Sequence, residues 1–133
     1  MRCLAQTWTL IVCLAVVITS CSRESAPDVL TTTTILADVA RNVTGDRLTV
    51  GSLLPAGTDP HSYQAVPQDA ARIHQSKVLI FHGGTYEEFL DGLLESGSEP
   101  NKLIDVSTGV RLRAGTESEH SVDPHIWLDP NNV

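Results

Sequence analysis

Short apolar blocks alternate along the chain with stretches in which apolar residues recur at helical spacing. The blocks are rich in β-branched and aliphatic residues, which indicates strands, whereas the intervening stretches indicate amphipathic helices. Four strands are predicted in this way, at 29–35, 48–54, 77–81 and 103–106. Three helices are predicted between them, at 36–43, at 67–74 with Pro67 in its first turn, and at 85–97 with Thr85 as its cap and Gly97 as its end.

The alternation of strands and helices predicts the fold class. Strand–helix–strand units with short connections build mostly parallel sheets that are covered by helices. We therefore expect an α/β fold with a mostly parallel sheet flanked by helices over 29–133. The polar segment 111–122 has no periodicity and predicts a mobile loop, and the threonine run 31–34 is the only compositionally biased stretch.

The N-terminus carries the pattern of an export signal. An unbroken apolar run at 10–18 follows Arg2, and it is shorter than the ~20 residues that cross a bilayer. Residues 18–21, Ile-Thr-Ser-Cys, resemble the bacterial lipobox, whose cysteine is acylated. We expect a lipoprotein signal peptide at 1–20 and a lipidated tether at 21–28 that begins with Cys21. The alternative is cleavage near this point with Cys21 as an ordinary thiol.

Charge and cysteine content narrow the function classes. The formal charge of the chain is −7, and it becomes −8 once Arg2 is removed with the signal, which makes a nucleic-acid partner a poor fit. All three cysteines lie at or before Cys21. The rest of the chain can therefore form neither a disulfide framework nor a thiolate metal site.

Two histidines share the same local frame, Asp-Pro-His, at 59–61 and 123–125. His61 follows the second predicted strand, and the loops at the carboxyl ends of parallel strands form the ligand crevice of open α/β sheets. Imidazole is the commonest protein ligand of metal ions, so His61 and His125 are candidate metal ligands. Asp59 and Asp123 could orient the two rings or could simply form turns. The alternative is that both histidines are loop residues without a partner.

Several segments resemble the zinc/manganese ABC-transporter solute-binding lipoproteins. Residues 57–63, Gly-Thr-Asp-Pro-His-Ser-Tyr, and 123–130, Asp-Pro-His-Ile-Trp-Leu-Asp-Pro, are similar to the two signature segments of that family. Segments 77–84 and 87–91 resemble its third strand and the helix that follows. The resemblance runs in order from Cys21 to Val133 and corresponds to about the first half of a family member.

This resemblance implies a two-lobed receptor that holds one divalent metal ion between its lobes, with 29–133 as the truncated N-terminal lobe. His61 and His125 match the first two metal ligands of the family. The other ligands, a His or Glu and usually an Asp, would come from a second lobe beyond Val133, so 29–133 alone should bind metal weakly. Zinc, manganese and iron all remain open as the ion, with a slight preference for zinc.

The resemblance implies a binding protein and no enzyme. We expect an extracytoplasmic, lipid-anchored receptor, monomeric when complete, that captures Zn²⁺ or Mn²⁺ and delivers it to the permease of an ABC importer. A surface adhesin of the same family is one alternative. A secreted zinc-dependent hydrolase is another, although the chain has neither a His-Glu-x-x-His unit nor a Gly-x-Ser-x-Gly elbow.

The remaining histidines and two aromatic residues receive supporting roles. His82 ends a strand and could face the crevice, where an orienting or capping role is favoured over metal ligation. His120 lies in an acidic loop that is expected to be solvated, with metal gathering as the alternative. His74 should lie at the core edge or in solvent. Trp127 and Tyr63 are expected to pack near the site as scaffold.

Overall fold

The computed structural model describes residues 25–94, 102–115 and 122–132 of the 133-residue chain. One parallel sheet of four strands, in the order β2-β1-β3-β4, forms its centre. The strands are β1 Val29–Thr31, β2 Val50–Ser52, β3 Val78–Phe81 and β4 Leu103–Asp105. The helices are α1 Thr34–Thr44, α2 Pro67–Gln75 and α3 Glu88–Leu94. The predicted α/β fold with a mostly parallel sheet is confirmed.

Residues at the ends of α1 and at the start of α2 explain where these helices begin and end. Helix α1 is capped by the hydroxyl of Thr33, which accepts from the Leu36 amide, and it ends at Gly45 with a φ of 55°. Helix α2 begins at Pro67, as predicted, because proline has no amide hydrogen for the first turn to lose. The carboxylate of Asp69 accepts from the Val66 amide and completes this start.

The hydrophobic core lies between the sheet and helices α2 and α3. Burying a leucine or isoleucine side chain stabilises the fold by about 1.5–3 kcal/mol. The predicted apolar face of α3 is confirmed, since Leu90 is buried while Phe89, Leu93 and Leu94 pack against the core. The buried residues of the core are Leu30, Leu53, Leu54, Ile73, Leu79 and Leu90.

Asp28 ties three strands together at the amino edge of the sheet. Its backbone carbonyl accepts from the amides of Lys77 and Val78, which lead into β3. Its carboxylate accepts from the Lys77 ammonium at 2.6 Å and from the amide and hydroxyl of Thr49, which precedes β2. The hydrogen bonds from Lys77 and Thr49 hold the pKa of Asp28 well below its usual value. At the other end of the sheet, loops follow the carboxyl ends of the strands.

Several predicted boundaries differ from the structure, and two of them, the end of the first strand and the start of the third helix, are wrong by three or more residues. The first strand ends at Thr31 and not at residue 35, because Thr33 caps α1 and the next two residues form its first turn. Thr85 does not cap α3. It has a φ of 75° and lies in a turn before Glu88, the first residue of that helix.

The predicted loop at 111–122 also contains paired structure at its two ends. Strand β5, Arg113–Ala114, pairs antiparallel with β6, Val122–Asp123. The predictions for residues 1–20, Cys21, Gly97 and His120 fall outside the described residues. Within the described ranges, every helix is too short or too polar to cross a bilayer.

Candidate functional site

The two Asp-Pro-His loops meet at one place in the fold. The ring centroids of His61 and His125 are 6.0 Å apart, although one loop follows β2 and the other follows β6. Both side chains are exposed to solvent. The structure thus brings together the two histidines that the sequence analysis selected.

The first loop is fixed by Asp59. Its Oδ1 accepts from the backbone amide of His61 at 3.0 Å, and its Oδ2 accepts from the Ser62 hydroxyl at 3.1 Å. This is the local turn that an aspartate two residues ahead forms with the backbone. Asp59 therefore sets the direction in which the chain leaves Pro60, and with it the position of His61.

The second loop repeats the turn and also binds the ring. Asp123 Oδ1 accepts from the backbone amide of His125 at 3.0 Å and lies 2.7 Å from its Nδ1. Hydrogen bonds from the His125 amide and ring hold the pKa of Asp123 below its usual value, so the carboxylate stays charged. A charged carboxylate accepts the Nδ1 proton and leaves the lone pair of a neutral ring on Nε2. That nitrogen is the one His125 can offer to a metal ion.

Helix α2 supports the His61 loop at both ends. The guanidinium of Arg72 donates to the carbonyls of Ser52 and Leu53 at 2.6 and 3.0 Å, where β2 runs into the loop. At the other end, the Tyr63 hydroxyl donates to Asp69 at 2.8 Å, and burial raises the pKa of that tyrosine. Tyr63 is therefore scaffold, as predicted, and its ring packs on Phe89 in the core at 5.0 Å.

Two aromatic rings pack at the pair of histidines: Tyr86 contacts both of them, and Trp127 contacts His125. Tyr86 is 7% exposed, and its ring centroid lies 5.1 Å from that of His61 and 5.6 Å from that of His125. Trp127 lies 5.2 Å from His125 and 4.7 Å from Tyr86, so its predicted place near the site is confirmed. Burial raises the pKa of Tyr86, which keeps this ring uncharged. The pair of imidazoles rests on an uncharged aromatic layer.

His82 lies beneath this layer, directly after β3. Its side chain is fully buried, and its Nε2 lies 2.8 Å from the hydroxyl of Thr33. Burial lowers the pKa of His82 to about 4, and the charge of a protonated His125 contributes a smaller part of this shift. The ring is therefore neutral at neutral pH.

A buried carboxylate holds the turn that follows His82. Glu87 accepts from the Thr32 hydroxyl at 2.6 Å, from the His82 amide at 2.9 Å and from the Gly83 amide at 3.1 Å. Burial raises the pKa of Glu87, while these three hydrogen bonds oppose that shift. Sequence reasoning missed Glu87 and Tyr86. The only signal for Glu87 was the threonine run, since the Thr32 hydroxyl donates to it across the fold.

Among the described residues, the candidate metal ligands at this site are the two exposed imidazoles. No group of three or more His, Cys, Asp or Glu side chains within 25–94, 102–115 and 122–132 is arranged to hold a metal ion. Two imidazoles fill half of the four positions that zinc prefers in proteins, and less of a larger coordination shell. His82 adds no third ligand to this pair, and His74 is exposed on α2.

Comparison with known proteins assigns these segments to one group. Residues 29–133 match the family described as zinc-uptake complex component A, periplasmic. The manganese-binding lipoprotein MntA of Halalkalibacterium halodurans is 35% identical over 105 residues, which cover 79% of this chain and 34% of the relative. The manganese ABC transporter substrate-binding lipoprotein PsaA of Streptococcus pneumoniae is 30% identical over an alignment of 147 positions, which covers 99% of this chain and 47% of the relative.

A solved structure shows the same fold. The Mn-bound periplasmic metal binding protein from Candidatus Liberibacter asiaticus superposes with a TM-score of 0.68 at 30% identity, and the match covers 78% of this chain and 39% of that one. The chain thus spans from about a third to about half of the length of the relatives described here.

Proposed function

The chain belongs to the zinc-uptake complex component A family, and from this membership we propose that it acts in the capture of a divalent metal ion outside the cytoplasm for an ABC importer. The observation that supports this proposal best is the pair of exposed imidazoles 6.0 Å apart, each on an Asp-Pro-His turn. The relatives are named as substrate-binding lipoproteins, a class that binds and delivers its substrate without changing it chemically.

We assign His61 and His125 as two ligands of the transported ion. His125 has a carboxylate on its Nδ1, which leaves Nε2 for the metal, and the exposure of both rings allows an ion to enter from solvent. The aromatic layer beneath the rings keeps them from turning inward. The ligands that complete the coordination would come from a second lobe, as the family resemblance implies.

Zinc and manganese are the two candidate ions. The family description names zinc, whereas two of the relatives are named for manganese. Two imidazole nitrogens suit zinc, while harder oxygen ligands favour manganese. The ion preference of the protein would therefore be decided by the ligands outside this pair.

Delivery and anchoring follow from the same class of protein. We propose that the metal is handed to a membrane permease and that Cys21 carries the lipid that keeps the receptor at the membrane. The relatives are named as lipoproteins and as components of ABC transporters, and residues 18–21 resemble a lipobox. The hydrolase alternative is not proposed, because the relatives are named for metal binding and for substrate binding in an ABC transporter.

Calorimetric titration with Zn²⁺ and Mn²⁺ tests the proposal. The cysteines of the purified chain are first alkylated so that thiolates bind no metal. Substituting His61→Ala or His125→Ala should weaken binding about tenfold or more, because losing a ligand costs at least as much as losing its outer support. His74→Ala, an exposed histidine on α2, is the matched control and should leave affinity unchanged. Equal binding by the parent and both site variants, or no binding by the parent, would contradict the proposal.

A further inference from the structure

His82 is a fully buried histidine whose two nitrogens are treated differently by the fold. Its Nε2 is hydrogen-bonded to Thr33, whereas its Nδ1 is buried and has no hydrogen-bond partner among the residues that the structure describes. Buried polar atoms are nearly always paired, and leaving one unpaired costs stability. An apolar side chain would fill the same space without that cost, so the imidazole at this position calls for a reason other than packing.

The hydrogen bond to Thr33 is what the imidazole adds. The Thr33 hydroxyl already accepts from the Leu36 amide at the start of α1, so its own proton is available to His82 Nε2. In this arrangement, the proton of the neutral ring lies on Nδ1. The bond links the end of β3 to the start of α1, and it fixes the orientation of the ring in its plane.

The fixed ring packs against the aromatic layer of the site. The centroid of His82 lies 4.3 Å from that of Trp127 and 4.8 Å from that of Tyr86. Each of these rings in turn contacts His125, and Tyr86 also contacts His61. A continuous set of contacts therefore runs from the Thr33 hydroxyl to both exposed histidines.

We infer that His82 is a positioning residue of the metal site, which holds Trp127 and Tyr86 against His61 and His125 through its hydrogen bond to Thr33. This inference rests on the proposed function. Zinc accepts imidazole nitrogens at about 2.0–2.1 Å, and binding sites tolerate errors of only about 0.5 Å in ligand position. If the His82 ring could shift beneath Trp127 and Tyr86, the distance between His61 and His125 would vary, and the metal ion would bind more weakly.

Zinc titration of the alkylated chain tests this role with two pairs of variants. Thr33→Val removes the hydroxyl that binds His82, and Thr33→Ser keeps it. His82→Phe keeps a ring but loses the bond, and His74→Phe makes the same change at an exposed position. We expect Thr33→Val and His82→Phe to raise the zinc dissociation constant about tenfold, as loss of outer support does elsewhere. Thr33→Ser and His74→Phe should stay within about twofold of the parent.

A second readout separates positioning from a general loss of stability. Circular dichroism confirms that each variant is folded, and the indole N–H resonance of Trp127 reports on the aromatic layer. This resonance should shift in Thr33→Val and return toward its parent position in Thr33→Ser. Because Thr33→Val leaves the imidazole in place, the inference stays testable if His82→Phe does not fold.

The outcomes that overturn the inference are distinct from failure of the proposed function. If Thr33→Val and His82→Phe bind zinc as tightly as the parent while His61→Ala does not, the function stands and the role of His82 is wrong. If Thr33→Ser is as weak as Thr33→Val, the hydroxyl is not the anchor and the inference also fails. A parent chain that binds no zinc overturns both.

Discussion

The two aspartates of the Asp-Pro-His frames form the same backbone turn, and Asp123 also contacts the ring of its histidine. Asp59 is seen to accept from the backbone of His61, whereas Asp123 accepts from the backbone of His125 and also contacts its ring at Nδ1. The sequence analysis left turn formation and ring support open for both residues. At Asp123 the structure shows that one carboxylate oxygen serves both purposes, because the turn brings the ring back over it.

Asp123 should therefore matter for metal affinity. The carboxylate of Asp123 fixes the His125 ring and makes its Nε2 more basic. Asp123→Ala removes both effects, so we expect about tenfold weaker zinc binding. Asp129→Ala is the control, because Asp129 lies in the same motif but accepts from the amide and side chain of Asn131. Calorimetry on the two variants checks this. Equal affinities would show that the carboxylate contributes only to the turn.

At the scale of elements, the turn after β3 needs backbone conformations that residues with a Cβ rarely adopt. Gly83, Gly84 and Thr85 follow one another with φ values of 72°, 60° and 75°, a region that costs residues with a Cβ roughly 1–2 kcal/mol. Glu87 holds this turn through the amides of His82 and Gly83. The turn aims Tyr86 at both exposed histidines, so the strain lies where the site is assembled.

Gly83→Ala should be more damaging than the same change elsewhere. A Cβ at Gly83 would overlap the carboxylate of Asp105, whereas a Cβ at Gly57, with a similar φ of 79°, would meet nothing within 4 Å. We expect Gly83→Ala to lower the free energy of unfolding by about 3 kcal/mol and Gly57→Ala by about 1 kcal/mol. Urea denaturation measures both. Similar losses would mean that the Asp105 side chain moves aside freely.

At the scale of the molecule, the amino and carboxyl ends of the parallel strands have different roles. Asp28 and Thr49 join the strands at their amino ends, where residues 25–28 lead into β1. His61 follows β2 at the carboxyl ends of the parallel strands, and His125, which follows β6 outside that sheet, meets it there. The proposed metal site therefore lies at the opposite end of the strands from the residues that lead into β1, because the carboxyl ends of parallel strands lie on one side of the sheet.

Anchoring through Cys21 gives a prediction for the whole protein in a bacterial cell. Cys21→Ser should move the protein from the membrane fraction to the soluble extracytoplasmic fraction, because the acyl chains supply the membrane affinity. Cys13→Ser, within the expected signal peptide, is the matched control and should leave the protein anchored. Membrane fractionation with labelled palmitate checks both. A Cys21→Ser variant that still carries the label would contradict the assignment.

The sequence by itself determined the features that depend on neighbouring residues. Apolar spacing gave the order of strands and helices, Pro67 gave the start of α2, and the repeated Asp-Pro-His frame identified His61 and His125. These patterns are readable because their physical causes, turn geometry and helical periodicity, act within a few residues.

Only the tertiary structure decided which distant residues share the site. Nothing within a few residues of Thr32 or Thr33 indicates that their hydroxyls bind Glu87 and His82. The same holds for Tyr86, which contacts both His61 and His125 because β2 and β3 end on the same side of the parallel sheet and the loop after β6 reaches that side. The early end of β1 was also missed, because β-branched threonines favour a strand. In the structure, the Thr33 hydroxyl caps α1 and also binds His82 across the fold, so the strand ends before it.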